Sequence, residues 1–128
     1  MDRILIVDDE FLIRYTLEEG LKDRGYDAYS AATVEEGLEF VRKYHPGVLL
    51  LDNLLENSVG MDEIVNFKNA DEELQVIMMT AYGSVSQAVE ATKRGAYRYI
   101  LKPFDVDEID MLIKRCLEQK RNRDSLVF

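Results

Sequence analysis

The sequence predicts an α/β fold in which five β-strands alternate with five helices, a (βα)5 arrangement. Three short continuous apolar runs, each bounded by polar or turn residues, are the first observation: ILIV (Ile4–Val7), VLLL (Val48–Leu51) and VIMM (Val76–Met79). Such runs are typical of parallel strands that are buried on both faces. Amphipathic helical patterns lie between the runs. This regular alternation predicts a doubly wound, parallel, five-stranded sheet with helices on both faces.

Two further segments complete the predicted sheet. Tyr26–Ala31 alternates more between apolar and polar side chains, which is typical of a strand nearer an edge, and Tyr97–Leu101 supplies the fifth strand. Each helix is predicted from an apolar face. In chain order these faces contain Ile13, Leu17, Gly20 and Leu21; Val34, Gly37, Leu38 and Val41; Ile64 and Phe67; Ala88 and Ala91; and Val106, Ile109, Ile113 and Cys116. Three helix starts fit a capping box: Thr33 with Glu36, Ser84 with Gln87, and Asp105 with Glu108.

The composition limits the classes of function. A chain of 128 residues, 47% hydrophobic and 32% charged, fits one soluble globular domain. The chain has a net charge of −9 and so lacks the excess of basic residues that is typical of nucleic-acid-binding domains. We therefore expect no direct contact with nucleic acid. No apolar run approaches the ~20 residues that span a bilayer, and no signal-peptide pattern is present. The single cysteine, Cys116, fits the reducing cytoplasm, where we expect this protein to act.

Reactive and charged side chains follow directly after the predicted strands. Ligands of open α/β sheets bind outside the carboxyl ends of the strands. The residues at those ends are Asp8, Asp9 and Glu10 after the first strand, Asp52 after the third, Thr80 after the fourth, and Lys102 and Pro103 after the fifth. Four of the five strands therefore bring such a residue to one rim of the sheet.

Asp52 ends a strongly apolar strand, where an ionised carboxylate is costly unless it is paired. Sharing a pocket with Asp8, Asp9 and a divalent cation would remove that cost, and Mg²⁺ suits carboxylates, water and phosphate oxygens. A carboxylate can attack phosphorus to form an aspartyl phosphate. Lys102 would stabilise the charge of the transferred group, and the Thr80 hydroxyl would donate to one of its oxygens.

Each of these residues also has a purely structural interpretation. Asp8 to Glu10 could serve only to stabilise the N-terminus of the helix that follows, where the helix dipole favours acidic side chains. Asp52 alone fits a loop acid, Thr80 a turn hydroxyl, and Lys102 a solvated charge. Their joint placement at the carboxyl ends of the strands favours a functional site.

Four motifs, in order and at fitting intervals, resemble those of bacterial two-component response-regulator receiver domains: ILIVDDE, LLLD, MMTAYGS and YILKPFD. The resemblance covers the chain from Asp2 to about Gln119. It implies a flavodoxin-like fold with strand order 2-1-3-4-5. It also implies a receiver domain over residues 1–121, with residues 122–128 starting a linker to an effector domain.

The resemblance assigns roles to individual residues. Asp52 would be the phosphoacceptor for a histidine kinase, and Asp8, Asp9, Asp52 and the backbone carbonyl of Leu54 would bind Mg²⁺. Thr80 and Lys102 would contact the phosphoryl group. Thr80 and Tyr99 would form the switch, and the Lys102–Pro103 peptide bond would be cis. Leu54 and Tyr82 lie where the family tunes phosphoryl lifetime.

The stretch TAYGSVSQAVEATKRGAYRYILKPFD looks like receivers of the nitrogen-regulation type, which precede an AAA+ ATPase domain and work with an alternative sigma factor. The resemblance implies transcription control through the surface of the fourth helix, fifth strand and fifth helix. Phosphorylation would switch this surface toward a second receiver, as a homodimer, or toward the ATPase domain. Such a domain catalyses only its own phosphorylation and dephosphorylation, so we do not expect an enzyme.

One departure concerns the loop after Asp52. Many family members carry a proline four residues after the phosphoacceptor, where this chain has Glu56. Without the fixed φ of proline, Glu56 and Asn57 predict a more mobile loop. That loop favours, slightly, the alternative of a pseudo-receiver that acts without phosphorylation. A flavodoxin-like flavin binder would need a phosphate loop where Asp8 and Asp9 stand, and an aspartate-nucleophile phosphatase would need a D-x-D pair at Asp52.

Overall fold

The computed structural model describes residues 2–81 and 83–125 of the chain. Five strands and five helices alternate along this part of the sequence. The strands are β1 (Arg3–Val7), β2 (Asp27–Ala31), β3 (Val48–Asp52), β4 (Gln75–Thr80) and β5 (Arg98–Leu101). The helices are α1 (Phe11–Asp23), α2 (Val34–Tyr44), α3 (Gly60–Ala70), α4 (Val85–Lys93) and α5 (Val106–Ser125).

All neighbouring strands pair in parallel, in the order β2-β1-β3-β4-β5. The predicted (βα)5 fold and strand order are therefore confirmed. Every strand differs from its predicted bounds by one residue at one end or both. β2 begins later, at Asp27, and β5 begins later, at Arg98, whereas β1, β3 and β4 extend beyond the predicted apolar runs. Tyr26 and Tyr97 each stand one position before the paired segment, and their side chains pack in the core on the α1 and α5 side. The Tyr97 N–H still donates to the Val76 carbonyl of β4 at 2.7 Å.

Two apolar cores lie on opposite faces of the sheet, as continuous strand hydrophobicity predicts. α2, α3 and α4 cover one face through side chains such as Val41, Phe67 and Ala91. α1 and α5 cover the other through Leu17, Leu21, Ile109, Ile113 and Cys116. Cys116 is 1% exposed, so its predicted core position is confirmed, and burial raises the pKa of its thiol to about 11.

The predicted capping boxes form to different extents. Asp105 and Glu108 bond in both directions: the Glu108 N–H donates to Asp105 Oδ1 at 2.9 Å and the Asp105 N–H donates to Glu108 Oε1 at 3.5 Å. Ser84 Oγ accepts from the Gln87 N–H at 3.2 Å, but the Gln87 side chain bonds elsewhere. The local pattern therefore locates the helix start, whereas tertiary contacts decide the second bond.

The last helix passes residue 121, where the sequence placed the end of the domain. It continues to Ser125, and Arg123 forms an ion pair with Glu73 at 3.0 Å. Residues 126–128 of the expected linker lie outside the described residues. Among the helices described, none combines the length and hydropathy needed to cross a bilayer.

Candidate functional site

The carboxyl ends of β1 and β3 bring two acidic side chains into the interior of the rim. β1 ends at Val7 and β3 ends at Asp52, and the two strands are neighbours in the sheet. Asp8 is 0% exposed and Asp52 is 4% exposed, while Asp9 is more open to solvent. The strongly apolar strands β1 and β3 therefore place these carboxylates in the buried interior of the rim.

Lys102 is the cation that these buried carboxylates share. Its Nζ lies 3.0 Å from Asp8 Oδ2 and 3.3 Å from Asp52 Oδ1, and its side chain is 14% exposed. The backbone places it there, because the Lys102 N–H donates to the Thr80 carbonyl at 2.7 Å and extends the β4–β5 pairing. The Lys102–Pro103 peptide bond is cis, as the resemblance implies.

Asp8 is fixed from several directions. The Glu10 N–H donates to Asp8 Oδ1 at 2.9 Å, and the Asp8 N–H donates to the Ala31 carbonyl at 3.2 Å. Arg14 on α1 donates from a guanidinium nitrogen to the Asp8 carbonyl at 2.7 Å. These bonds hold the Asp8 carboxylate with one oxygen toward its own loop and the other toward Lys102.

The electrostatic balance at Asp52 is unfavourable to its charge. Burial, followed by the charge of Asp8, raises the pKa of the Asp52 carboxyl from 3.8 to about 6. The charge of Lys102 and its hydrogen bond, together with the Leu54 backbone N–H, act in the opposite direction. Burial also opposes the charge of Lys102 most strongly, yet hydrogen bonds and charges of Asp8 and Asp52 raise its pKa. One lysine does not fully compensate two buried carboxylates.

Three carboxylates of the rim are placed to hold a metal ion together. Asp8, Asp9 and Asp52 each offer one oxygen, and these oxygens lie within 4.8 Å of one another. The spacing and the oxygen donors suit a hard divalent cation. The uncompensated charge of Asp52 provides a reason for such an ion to bind.

The remaining predicted residues lie on the same rim or beside it. Thr80 ends β4 and is 1% exposed, one position beyond Met79, the pairing partner of Asp52. Tyr99 lies on β5, and its O–H donates to Gln87 Oε1 at 2.8 Å. Leu54 follows β3 at the rim, with a side chain 52% exposed. Tyr82, the other position expected to tune phosphoryl lifetime, lies outside the described residues.

The loop that carries Glu56 is closed by backbone contacts. Leu54 and Val59 form an antiparallel bridge, and the Leu55 N–H donates to the Ser58 carbonyl at 3.1 Å. Glu56 is exposed within this turn. The missing proline predicts a more mobile loop, and that stays a prediction; the structure adds that the loop contains a hydrogen-bonded turn.

Sequence reasoning missed two residues that position Asp52. Asn53 is buried, and its Oδ1 accepts from the Met61 N–H at 3.0 Å, which caps α3 from outside the helix. A side chain at Gly60 would collide with the Asp52 carbonyl oxygen. Asn is a preferred capping residue, but its separation in sequence from the helix start hid this role.

Fold and rim together define a class, that of doubly wound α/β domains with an acidic site at the carboxyl ends of the strands. A family model of the response regulator receiver domain matches residues 4–114. The chain therefore belongs to the response regulator receiver family, and it is a phosphoacceptor signalling domain of two-component regulation. Membership of this family excludes the flavin binder and the aspartate-nucleophile phosphatase, and the comparisons give no support to a pseudo-receiver.

Three similar proteins refine this assignment. Sporulation initiation phosphotransferase F of Bacillus subtilis is 38% identical over 121 residues, which is 94% of this chain and 98% of that protein. The nitrogen assimilation regulatory protein NtrX of Azorhizobium caulinodans is 36% identical over 122 residues. That match covers 94% of this chain but only 27% of NtrX, so the chain spans about a quarter of that relative.

A solved structure gives the third comparison. The beryllofluoride-activated NtrC4 receiver domain dimer matches with a TM-score of 0.88 and 34% identity, covering 94% of this chain and 99% of that chain. The matches to NtrX and NtrC4 confirm the predicted likeness to receivers of the nitrogen-regulation type.

Proposed function

We propose that this receiver takes a phosphoryl group from a phosphohistidine of a histidine kinase onto the carboxylate of Asp52. The observation that carries the proposal is the shared ion-pair geometry, in which Lys102 lies within 3.3 Å of both Asp52 and the more deeply buried Asp8. Asp52 ends β3 at the rim, where burial and the charge of Asp8 raise the pKa of its carboxyl to about 6. A more basic carboxylate is a stronger nucleophile, which favours Asp52 as the acceptor.

The donor set of the rim fits Mg²⁺. Asp8, Asp9 and Asp52 would hold the ion through their clustered oxygens, with the Leu54 carbonyl as a further ligand. When bound, Mg²⁺ supplies positive charge that neutralises the carboxylates and the phosphoryl oxygens.

The protein's own residues account for the rest of the transfer. An Asp52 oxygen attacks phosphorus, the bond from phosphorus to the imidazole nitrogen breaks, and the imidazole leaves with its electron pair and is then protonated. Lys102, kept close by Asp8, stabilises the charge that develops on the phosphoryl oxygens. The Thr80 hydroxyl donates to one of these oxygens. The domain acts on itself in this chemistry and turns over no separate substrate.

An exposed apolar patch beside the site fits the docking of a protein donor. Phe11, Leu12 and Tyr15 on α1 are 69%, 70% and 54% exposed, and the rings of Phe11 and Tyr15 stack at 6.1 Å. α1 starts directly after the acidic residues that follow β1, so a kinase bound there would reach Asp52. Contiguous exposed apolar residues of this kind mark interaction surfaces.

A second exposed apolar surface fits the output of the domain. Val85 and Val89 on α4, Leu101 on β5 and Met111 on α5 are all exposed, at 83%, 48%, 54% and 57%. We assign this surface to a phosphorylation-dependent homodimer or to an AAA+ effector domain that follows a receiver of residues 1–121. The dimeric state named for the NtrC4 receiver supports the first.

Intact-mass measurement after incubation with acetyl phosphate and Mg²⁺ tests the proposal. The protein should gain one phosphoryl group, whereas Asp52→Ala and an EDTA-treated sample should gain none. Asp23→Asn, an exposed aspartate at the end of α1, serves as the matched control and should behave as the unmodified chain. A phosphoryl group on the Asp52→Ala variant would overturn the assignment of the acceptor.

A further inference from the structure

Tyr99 is held by a specific hydrogen bond to the first turn of α4. On β5, Tyr99 pairs with Met78 of β4. Its O–H donates to Gln87 Oε1 at 2.8 Å. β5 and α4 are thereby joined through side chains. This bond spans the surface that we assign to output.

Gln87 makes this bond instead of the one that its position in the sequence predicts. In a complete capping box its side chain would return to the N–H of Ser84, as Glu108 does toward Asp105 in α5. In α4 only the Ser84 Oγ bond to the Gln87 N–H is formed, at 3.2 Å. Gln87 is therefore anchored by its backbone to the start of α4 and by its side chain to β5.

The Tyr99 ring also packs against the segment between β4 and α4. A Cβ at Gly83 would lie 3.0 Å from Tyr99 Cε1 and would collide with Leu101. Beside these residues is a surface cavity of about 380 Å³, also lined by Val85 and Ala88, so space is available for the ring to move. The position of the ring and that of the segment after Thr80 thus depend on each other.

We propose that Gln87 is a positioning residue that holds Tyr99, and with it Gly83, in the arrangement of the unphosphorylated protein. The inference rests on the proposed phosphorylation of Asp52. In this proposal, the movement of Thr80 toward the phosphoryl group displaces Gly83, against which the Tyr99 ring lies, and the Gln87–Tyr99 bond is lost. A bond present in one state alone shifts the equilibrium toward that state. Loss of Gln87 therefore raises the fraction of protein that is ready to accept phosphate.

Two single variants and their combination test this role. Gln87→Met keeps the length of the side chain and removes the acceptor, and Tyr99→Phe keeps the ring and removes the donor. Each should raise the rate of phosphorylation by acetyl phosphate with Mg²⁺ about fivefold, the change in equilibrium that one neutral hydrogen bond gives. The double variant should be no faster than either single one, because both remove the same bond.

A conservative variant and a matched control separate positioning from simple destabilisation. Gln87→Glu keeps an acceptor oxygen and should restore a rate near that of the unmodified chain. Gln119→Met makes the same substitution in α5, far from Tyr99, and should leave the rate unchanged. With 3-fluorotyrosine incorporated, the Tyr99 fluorine resonance, assigned by its loss in Tyr99→Phe, should shift in Gln87→Met but not in Gln87→Glu.

The outcomes are distinct. Equal rates in all variants, or additive effects in the double variant, would overturn the role of Gln87 while leaving phosphorylation of Asp52 intact. An unmodified chain that gains no phosphate from acetyl phosphate, with Mg²⁺ bound, would overturn the proposed function and this inference together. A fluorine shift in Gln87→Glu equal to that in Gln87→Met would show that the acceptor oxygen is not what holds the ring.

Discussion

Asp52 and Asp110 are two shielded carboxylates in opposite electrostatic situations. Their side chains alone are 5% and 14% exposed. Asp110, on α5, accepts hydrogen bonds from the Tyr26 hydroxyl at 2.6 Å and from Lys114 Nζ at 3.1 Å. Burial opposes its charge, but these partners and Arg24 lower its pKa. Asp52 shares Lys102 with Asp8, and the pKa of Asp52 is raised to about 6.

The difference separates a structural carboxylate from the one that we propose as the phosphoacceptor. Around Asp110 the hydrogen-bond donors and cations outweigh the cost of burial, so its charge stabilises the fold. Around Asp52 the chain provides fewer, and the deficit is what a cation and a phosphoryl group can fill. Perturbed carboxylates of this kind mark functional sites, where stability is given up for reactivity.

Removal of the shared cation should have the largest effect on stability. In Lys102→Met, two buried carboxylates lose the one cation that they share among residues 2–81 and 83–125, so we expect the free energy of unfolding to fall by about 3 kcal/mol at pH 8. Lys114→Met is the control, since Lys114 is 67% exposed and should change stability by less than about 1 kcal/mol. Urea denaturation in EDTA measures both, and equal losses would contradict the comparison.

The second largest effect should be the stabilisation by Mg²⁺, which we expect to depend on Asp52 but not on Asp110. At a concentration one hundred times its dissociation constant, a ligand that binds only the folded state stabilises it by about 2.7 kcal/mol. We expect such a gain for the unmodified chain and for Asp110→Asn, and almost none for Asp52→Asn. Thermal unfolding with and without Mg²⁺ checks this, and a full gain in Asp52→Asn would place the ion elsewhere.

Neutralising each carboxylate in EDTA should change stability in opposite directions. The folded-state pKa of Asp52 is raised, so ionisation of Asp52 removes stability as the pH rises from about 4 through about 6. Asp52→Asn should therefore be more stable than the unmodified chain by about 2 kcal/mol at pH 8, and this advantage should vanish below about pH 4. Asp110→Asn should instead be less stable by about 1 kcal/mol. Urea denaturation at both pH values measures the two changes, and a shared sign would contradict the opposite electrostatic situations of Asp52 and Asp110.

The smallest effect is expected from a single donor to Asp110. Tyr26→Phe removes the hydroxyl bonded at 2.6 Å and should cost about 1 kcal/mol of stability. Tyr15→Phe, with a side chain 54% exposed, should change nothing measurable. The Mg²⁺ response should be the same in both variants. A changed Mg²⁺ response in Tyr26→Phe would show that the Asp110 site and the Asp52 site are coupled rather than independent.

The elements of the fold could be predicted because their signals are local. Apolar runs such as Ile4–Val7 and Val48–Leu51 specify buried strands by themselves, and the strand ends then specify the rim. The family motifs added the roles expected of Asp52, Thr80 and Lys102. These predictions needed only short-range patterns and the rule for where α/β sheets bind ligands.

The contacts that tune the site could not be predicted in the same way. Asn53 caps a helix that starts several residues later, and Gln87 leaves its expected capping bond for Tyr99 on another element. The turn at Glu56 depends on backbone pairing between Leu54 and Val59. Each of these contacts requires knowledge of which distant residues meet, and no local pattern contains it.

The close approach of Gly60 to the carbonyl of Asp52 has a consequence for the tolerance of the chain to change. Even alanine at position 60 would force either the backbone of Asp52 or the start of α3 to move. A residue with no functional group is thus as restricted as the proposed acceptor. In a survey of all single substitutions scored by signalling output, position 60 should rank with the carboxylates, although it takes part in no chemistry.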